Sequence, residues 1–346
     1  MLRHFSVHHD VIGIWHVPKI VVRNRTPDTK PWFVQMNDAG MRDARDFAKH
    51  KSPDVDRITL LGDSFTFGYS VEVAQRYSNR IEAKFDGLEI LNFGLPSAGI
   101  DQQYLVYEQI ASEYESDILM INPYLNNVGR CQLAYHMFQG RDGKPRMTAK
   151  PYFELEGSEL VLKNVPVVRN PTGEDAERLQ QAQAGRANTR NVEADPHKGF
   201  TRLVRQSLLS RNFKYLMIKL LPVTPYAEYR STDAPEWQLA RRILQELRSI
   251  SKQEHMVISP LPAWSTILNP RLAIYRDRFA ELHDPAAGIH VFDILPYFEA
   301  LSFAERVKCF VSPRDTHYSA FGHQVAAEGI ANELTRSGLL TRATRR

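Results

Sequence analysis

The chain has 346 residues, which is enough to bury a sizeable core in one large domain or two small ones. Apolar residues make up 43% and charged residues 24%, as in an ordinary soluble globular protein, so neither a fibrous nor a disordered chain is expected. The net charge of +4 is small for this length and no basic stripe interleaved with aromatic residues is present, so nucleic acid is not an expected partner.

The cysteine spacing and the hydrophobic runs argue against further classes of protein. Cys131 and Cys309 form no C-x-x-C pair, so we expect two idle thiols rather than a disulfide framework. His8 and His9 beside Asp10 lack the further helical spacing of a metal motif, and we expect no metal site. No apolar run approaches the roughly 18 residues of a membrane span, and no export signal is seen. The default expectation is a soluble cytoplasmic protein.

The first part of the chain is predicted to be an irregular arm, residues 1–56, with short strands. Ile20 to Val22 follows a proline and suits an edge strand, and Trp32 to Met36 is a second candidate. A turn signal at Asn37 to Gly40 and the charged stretch Arg42 to Asp56 lead to the first core strand.

After the arm, short apolar runs alternate with helical patterns. The predicted strands are Arg57 to Leu61, Leu88 to Asn92, Asp117 to Asn122, Met256 to Ile258 and Ile289 to Phe292. The predicted helices are Val73 to Lys84, Asp101 to Ser112, Arg202 to Leu209, Phe213 to Leu221, Glu236 to Lys252, Arg276 to His283 and Ala320 to Ser337. This alternation predicts an α/β fold, with a doubly wound parallel sheet covered by helices on both faces.

An irregular span interrupts the alternation. Residues 129–201 contain a predicted hairpin around Tyr152 to Val161 and a polar stretch from Gly173 to His197. We interpret the span as an insertion near the site, partly helical and partly mobile; disordered surface is the alternative. The expected organisation is an arm (1–56), a core domain (57–128 and 202–340) and the insertion (129–201). The basic end, Thr341 to Arg346, is expected to be solvated.

The segment GDSFTFG, Gly62 to Gly68, directly follows the first core strand. Ser64 therefore stands where a strand turns into a helix, at the carboxyl edge of the sheet where loops gather in one crevice. Its backbone N–H is expected at a helix N-terminus, which favours negative charge. A serine hydroxyl is a weak nucleophile at neutral pH, so it needs a base in contact and a carboxylate to orient that base. We take Ser64 as the candidate nucleophile.

A suitable base and carboxylate occur together near the other end of the chain. We predict that His317 is the general base and that Asp315 orients it. Residues two positions apart share a face of an extended segment, so these side chains can meet. Among the rival residues, we expect Asp63 to fix the turn at the nucleophile and His323 to pack at the start of the last helix.

Residues after the second and third strands can stabilise a developing oxyanion. Gly99 permits close approach of its backbone N–H to a ligand, and Asn126 offers a side-chain amide. We predict an oxyanion hole formed by Ser64, Gly99 and Asn126. Other nearby residues are interpreted structurally: Asn127 as a turn residue, and Tyr124 and Tyr318 as pocket-lining or packing residues.

Together these segments resemble the sequence blocks of the SGNH (GDSL-type) hydrolases, and they occur in that family's order. The matching blocks are Gly62 to Gly68, Asn92 to Gly99, Leu125 to Asn127, and Asp315 to His317 with Gly322 and His323. The resemblance covers about residues 37–127 and 236–337. Its second block supplies an oxyanion glycine, which here is Gly94 or Gly99; we favour Gly99.

Two departures from the family pattern are present. The acid and base are spaced Asp-x-His rather than Asp-x-x-His, which is similar to the branch of alginate O-acetyltransferases and other polysaccharide-modifying members. The third block usually reads Gly-x-Asn-Asp, whereas here Leu125 and Asn127 flank Asn126. The resemblance implies a three-layer α/β/α, flavodoxin-like fold with a five-stranded, mainly parallel sheet and acyl-ester chemistry without a cofactor. It also makes a periplasmic or cell-envelope role an alternative location.

These observations predict a serine esterase that acts on a small-molecule or carbohydrate ester, such as an O-acetyl group on a sugar. An O-acetyltransferase with the same triad is the first alternative. The second is a catalytically silent carbohydrate-binding protein, which the Asp-x-His spacing and the missing glycine before Asn126 favour.

Overall fold

The computed structural model of the chain describes residues 5–26, 28–139, 144–188 and 226–346. Its strands are β1 (Ser6–His9), β2 (Gly13–His16), β3 (Val21–Asn24), β4 (Trp32–Gln35), β5 (Asp56–Gly62), β6 (Phe85–Asp86), β7 (Leu88–Asn92), β8 (Ile118–Asn122), β9 (Tyr135–Gln139), β10 (Pro145–Ala149), β11 (Tyr152–Glu156), β12 (Glu159–Lys163), β13 (His255–Ile258), β14 (Ile289–Val291) and β15 (Thr344–Arg345). Its α-helices are α1 (Ser64–Phe67), α2 (Tyr77–Glu82), α3 (Ile100–Gln109), α4 (Asn127–Arg130), α5 (Glu174–Asn188), α6 (Pro235–Ile250), α7 (Trp264–Leu268), α8 (Tyr275–Ala280), α9 (Leu295–Glu299), α10 (Phe303–Lys308) and α11 (Ala320–Ser337).

The centre of the fold is a five-stranded parallel sheet with the order β14-β13-β8-β5-β7. Counted along the chain, these strands have the order 2-1-3-4-5 of flavodoxin-like folds. Ile58 of β5 pairs with Ile118 on one side and with Ile90 on the other. All of β5 is buried, as expected for a parallel strand covered on both faces. The predicted doubly wound sheet is confirmed, and it is parallel throughout.

Helices cover the sheet in two groups. α3 packs against α6 and β5, while α2 packs against α11 and β7. α6 presents Trp237, Ile243 and Leu247 to the core at helical spacing. Burial of such apolar stripes on both faces of one sheet gives the three layers that the sequence pattern predicted.

Two predicted helices have different limits in the structure. The helix expected from Val73 to Lys84 is a 3-10 turn, Val73–Gln75, followed by α2. The buried residue Arg76 separates them because its backbone is extended, with φ −66° and ψ 139°. The helix expected up to Ser112 ends at Gln109, where Ile110 leaves helical geometry with φ −135°.

The arm consists of two antiparallel hairpins, β1–β2 and β3–β4, which include the strands predicted there. Its apolar side chains form a cluster with a residue of α1 on the core domain. The cluster contains Phe5, Trp32, Val34, Met36 and Phe67. Since Phe67 lies three residues after Ser64, the arm packs directly beneath the helix that carries the candidate nucleophile.

The span after α4 contains the hairpin predicted around Tyr152 to Val161, seen as β11–β12. It also contains a second hairpin, β9–β10, that the sequence analysis missed, and α5 within the polar stretch. The end of that stretch and the helices predicted at Arg202 to Leu209 and Phe213 to Leu221 lie outside the described residues. Lys150 follows β10 and forms a buried ion pair with Asp101 of α3.

The basic C-terminal end is largely exposed to solvent, as expected, but it is bound to the core domain rather than free. β15 pairs with β6, and the buried carboxylate of Asp56 accepts hydrogen bonds from the backbone N–H groups of Arg342 and Ala343. These bonds satisfy a carboxylate that would otherwise be buried without a partner. In the part of the chain that the structure describes, no helix combines the length and apolar character that crossing a membrane requires.

We predict that Lys150→Met lowers the free energy of unfolding by about 3–5 kcal/mol, because it leaves the Asp101 carboxylate buried and unpaired. Adding Asp101→Asn restores much of the loss, since no buried charge then remains. Urea-induced unfolding of both variants measures this. A cost below about 1 kcal/mol for Lys150→Met contradicts a stabilising role for the pair.

Candidate active site

Ser64 is the first residue of α1, directly beyond the end of β5. The turn depends on Gly62, where a Cβ atom would lie only 1.9 Å from Thr66 Oγ1. Asp63 caps the helix, because its Oδ1 accepts a hydrogen bond of 2.9 Å from Phe65 N–H. As a first-turn residue, Ser64 has a backbone N–H without a partner inside the helix. The turn thus presents both the hydroxyl and the amide of Ser64 at the carboxyl edge of the sheet.

The structure brings Ser64, His317 and Asp315 into one chain of hydrogen bonds. His317 Nε2 lies 2.9 Å from Ser64 Oγ, and His317 Nδ1 lies 2.6 Å from Asp315 Oδ1. Because a carboxylate only accepts, we assign the ring proton to Nδ1, which leaves Nε2 to accept from the Ser64 hydroxyl. In this tautomer His317 is oriented to take the hydroxyl proton.

The His317 imidazole packs against two aromatic rings. Its centroid lies 5.0 Å from that of Phe65 and 5.0 Å from that of Tyr69. Phe65 is itself stacked on the buried ring of Tyr124 at 4.0 Å. The side chain of His317 is nevertheless 25% exposed, so the imidazole is packed in place while it remains open to the surface.

The Asp315 carboxylate has more partners than His317. Its Oδ1 also accepts from His317 N–H at 3.2 Å, and its Oδ2 accepts from Ser70 Oγ at 3.2 Å. Burial raises the pKa of Asp315, but the bonds from His317 and Ser70 outweigh it and hold the pKa below the ordinary value of 3.8. Asp315 therefore stays ionised at neutral pH, as a group that orients an imidazole must.

Asp63 is the centre of a buried polar network beneath the candidate nucleophile. Its Oδ2 accepts hydrogen bonds of 2.9 Å from Asn127 Nδ2 and from Arg130 Nη1. Asn127 Oδ1 in turn accepts from Gln103 Nε2 and from Tyr124 N–H. The expected structural role of Asp63 is confirmed. The interpretation of Asn127 as a turn residue is incomplete, because its fully buried amide joins three elements around the site.

The two glycines considered for the oxyanion hole differ in the state of their amides. Gly94 donates its N–H to Asn92 Oδ1 at 3.0 Å, and a Cβ atom there would lie 2.4 Å from Phe67 N. Gly94 is therefore required for packing and has its amide occupied. Gly99 precedes α3, and Asn126 precedes α4 as a partly exposed residue. Their participation in an oxyanion hole stays a prediction.

Other residues near the site are buried in the core. His323 Nδ1 accepts from Tyr77 N–H, and burial holds the pKa of His323 well below its ordinary value, so it is a packing residue as expected. Tyr124 and Tyr318 are both buried, and Tyr318 donates to the carbonyl of Pro262, so packing is the correct alternative for them. Across the described ranges, no group of three or more histidine, cysteine and acidic side chains is arranged to hold a metal ion.

Comparisons with known proteins give only distant structural likenesses. No family model and no curated protein matches the chain. A lipolytic G-D-S-L family protein from Veillonella parvula DSM 2008 is 13% identical with a TM-score of 0.40, covering 82% of this chain and 100% of its own. A lipase/acylhydrolase from Enterococcus faecalis is 12% identical with a TM-score of 0.39, covering 83% and 98%. An acetyl xylan esterase from Butyrivibrio proteoclasticus is 10% identical with a TM-score of 0.33, covering 84% and 66%. Likeness at this level assigns no activity to this chain.

The lowered pKa of Asp315 predicts a pH-dependent contribution to stability. A carboxylate with a depressed folded pKa stabilises the fold above the unfolded pKa of 3.8, and this contribution is lost as pH falls through the lower folded pKa. Asp315→Asn should therefore be less stable than the wild type at pH 6, by about 1–3 kcal/mol, and the difference should shrink at pH 3. Urea unfolding at both pH values tests this; equal differences at the two values contradict it.

Proposed function

We propose that this protein is a serine esterase that forms an acyl-enzyme on Ser64. The observation that carries the proposal is the unbroken hydrogen-bond chain from Asp315 through His317 to Ser64. A packing histidine needs no surface opening and no serine partner, whereas this imidazole contacts a hydroxyl on one side and an ionised carboxylate on the other. That arrangement lowers the cost of removing the hydroxyl proton.

The reaction follows from the positions of these groups. Ser64 Oγ attacks the ester carbonyl while His317 Nε2 takes its proton, and Asp315 stabilises the resulting imidazolium. His317 then returns the proton to the leaving alcohol as the C–O bond breaks, which leaves the acyl group on Ser64. A water molecule attacks the acyl-enzyme while His317 takes its proton. The bond between the acyl carbon and Ser64 Oγ then breaks as His317 returns the proton to Oγ, which releases the carboxylic acid and restores the serine hydroxyl.

The negative charge of the tetrahedral intermediate needs donors at the same edge of the sheet. We assign this role to the backbone N–H groups of Ser64 and Gly99 and to the side-chain amide of Asn126. Each begins or precedes a helix that follows a core strand, so the three are expected to converge. The bond that occupies the Gly94 amide supports Gly99 over Gly94.

The geometry also favours a catalytic protein over the catalytically silent alternative. In the sequence, the missing glycine before Asn126 and the Asp-x-His spacing favour that alternative. Two residues so close on a loop meet only if the backbone turns locally. In the structure His317 N–H and Nδ1 both approach Asp315 Oδ1, at 3.2 Å and 2.6 Å. The short spacing therefore does not separate the acid from the base.

An O-acetyl group on a carbohydrate is our candidate substrate, on the strength of the resemblance to SGNH hydrolases. Transfer of the acetyl group to a sugar hydroxyl is the second candidate, since the Asp-x-His spacing is similar to that of O-acetyltransferases. Both reactions share the acyl-enzyme and differ only in the nucleophile that attacks it.

We predict that Ser64→Ala reduces kcat for p-nitrophenyl acetate by at least ~10³-fold, because no other hydroxyl contacts His317 Nε2 among the described residues. The exposed Ser249→Ala serves as a matched control and should retain wild-type turnover. A fluorophosphonate probe should label the wild type at Ser64. Undiminished turnover by Ser64→Ala, or absence of labelling in the wild type, contradicts the proposal.

The fate of the acetyl group separates hydrolysis from transfer. With p-nitrophenyl acetate as donor and a neutral oligosaccharide as acceptor, we expect free acetate as the main product. Mass spectrometry of the oligosaccharide and enzymatic assay of acetate measure both products in one reaction. An acetylated oligosaccharide as the main product would replace the esterase assignment by an O-acetyltransferase, with the same triad.

A further inference from the structure

The loop after α1 has a strained backbone at a residue that contacts the triad. Ser70 has φ +75°, a left-handed conformation that costs a non-glycine residue energy. Its hydroxyl donates to Asp315 Oδ2 at 3.2 Å, across 245 positions of sequence. Strain of this kind persists where the surrounding structure imposes it, and here it aims a hydroxyl at the carboxylate that orients His317.

The surroundings that impose this conformation belong to the arm. The buried guanidinium of Arg42 donates to the carbonyls of Phe67, Gly68 and Val71, and also to that of Phe33 in β4. Burial lowers the pKa of Arg42 to about 9, so it remains a cation at neutral pH. One side chain of the arm thus holds the loop on both sides of Ser70.

A second line of contacts runs from the arm to the imidazole. Trp32 of β4 meets the ring of Tyr69 edge-on, with centroids 5.1 Å apart and an interplanar angle of 76°. The Tyr69 ring then packs on His317 at 5.0 Å. Trp32 is buried, so its position is set by the core of the arm.

A third line of contacts connects the arm with the loop that contains Asp315. Ser312 Oγ accepts hydrogen bonds from Asp315 N–H at 3.0 Å and from Arg314 N–H at 3.1 Å. The same hydroxyl donates to Asp28 Oδ2 of the arm at 3.0 Å. The arm is therefore linked to the backbone of Asp315 through Ser312, in addition to its contacts with the loop that carries Ser70.

We propose that the N-terminal arm is a positioning element of the triad, which acts on Asp315 through Ser70 and Ser312 and on His317 through Tyr69. This inference rests on the proposed esterase function. Ser70 and Asp28 are positioning residues, since they touch the acid or its loop rather than the reacting hydroxyl. Loss of either contact should lower the fraction of molecules in which the imidazole faces Ser64, and should change kcat more than KM.

Two substitutions at Ser70 separate the effect of losing the hydroxyl from the effect of the backbone strain. Ser70→Ala and Ser70→Gly both remove the donor, and we expect each to lower kcat for p-nitrophenyl acetate by ~5–10-fold with KM nearly unchanged. Ser70→Gly relieves the left-handed conformation and should be more thermostable than Ser70→Ala. The exposed residue Asn170, with φ +54°, is the control: Asn170→Gly should leave kcat at the wild-type value.

Asp28 tests the contribution of the arm itself, because it is exposed and its replacement should not disturb folding. Asp28→Ala should lower kcat by ~2–5-fold. Asp54→Ala, an exposed aspartate of the same arm without a contact to the Asp315 loop in the described residues, should retain full activity.

A measurement that does not depend on enzymatic activity tests this inference separately from the proposed function. Removal of a hydrogen bond to an ionised carboxylate raises its pKa, so ¹³C-carboxyl NMR of Ser70→Ala should show Asp315 titrating at higher pH than in the wild type. The acid limb of the kcat profile should move in the same direction. If the wild type is inactive but this shift occurs, the esterase function fails while the positioning contact stands. Unchanged kcat, pH profile and Asp315 titration in Ser70→Ala and Asp28→Ala overturn the inference.

Discussion

The contact between Ser64 and His317 joins residues 253 positions apart, and most of the fold around the site serves to maintain it. Ser64 is the first residue of α1, and His317 lies on the loop that precedes α11. A hydroxyl and an imidazole hold a distance of 2.9 Å only if both loops are fixed, since a displacement of about 1 Å removes a hydrogen bond. The structure fixes each loop by a different means.

The turn that carries Ser64, the candidate nucleophile, is held by buried polar groups. Asp63 binds Asn127 and Arg130, and the carbonyl of Arg130 accepts from Lys150, whose charge is paired with Asp101. The β9–β10 hairpin and the core domain are thereby connected through charges that are costly to separate. The loop that contains Asp315 is held by a series of contacts that connects it with the arm. The N-terminal arm and the loop that carries Asp315 and His317 consequently meet beside Ser64.

Much of this arrangement could be predicted from the sequence, and the reason is visible in particular elements. β5 contains a short, mostly apolar run that ends at a glycine, and α6 shows apolar residues at helical spacing, so local pattern specifies both. Ser64, Asp315 and His317 could be selected because their chemistry is recognisable in short segments. Helix boundaries set by a single residue, such as the break at Arg76, could not be predicted, because a buried side chain rather than periodicity decides them.

The supporting contacts could not be predicted for a related reason. Arg42 binds backbone carbonyls, and carbonyls carry no sequence signature. Ser70 and Ser312 contact residues far from them along the chain or act on backbone N–H groups, and an ordinary serine in a loop gives no sign of either. The same holds for Lys150, whose partner lies 49 positions away. Sequence reasoning finds reactive groups, while the groups that orient them become visible only in three dimensions.

The central claim is that Ser64 carries an acyl group that His317 helps to install. The most direct measurement is rapid acid quenching during turnover of p-nitrophenyl acetate, followed by peptide mapping by mass spectrometry. The account predicts one acetyl group, located on Ser64, that accumulates in the wild type and is absent from His317→Ala at the same time point. Acetylation at another residue, or equal acetylation of Ser64 in both proteins, would contradict it.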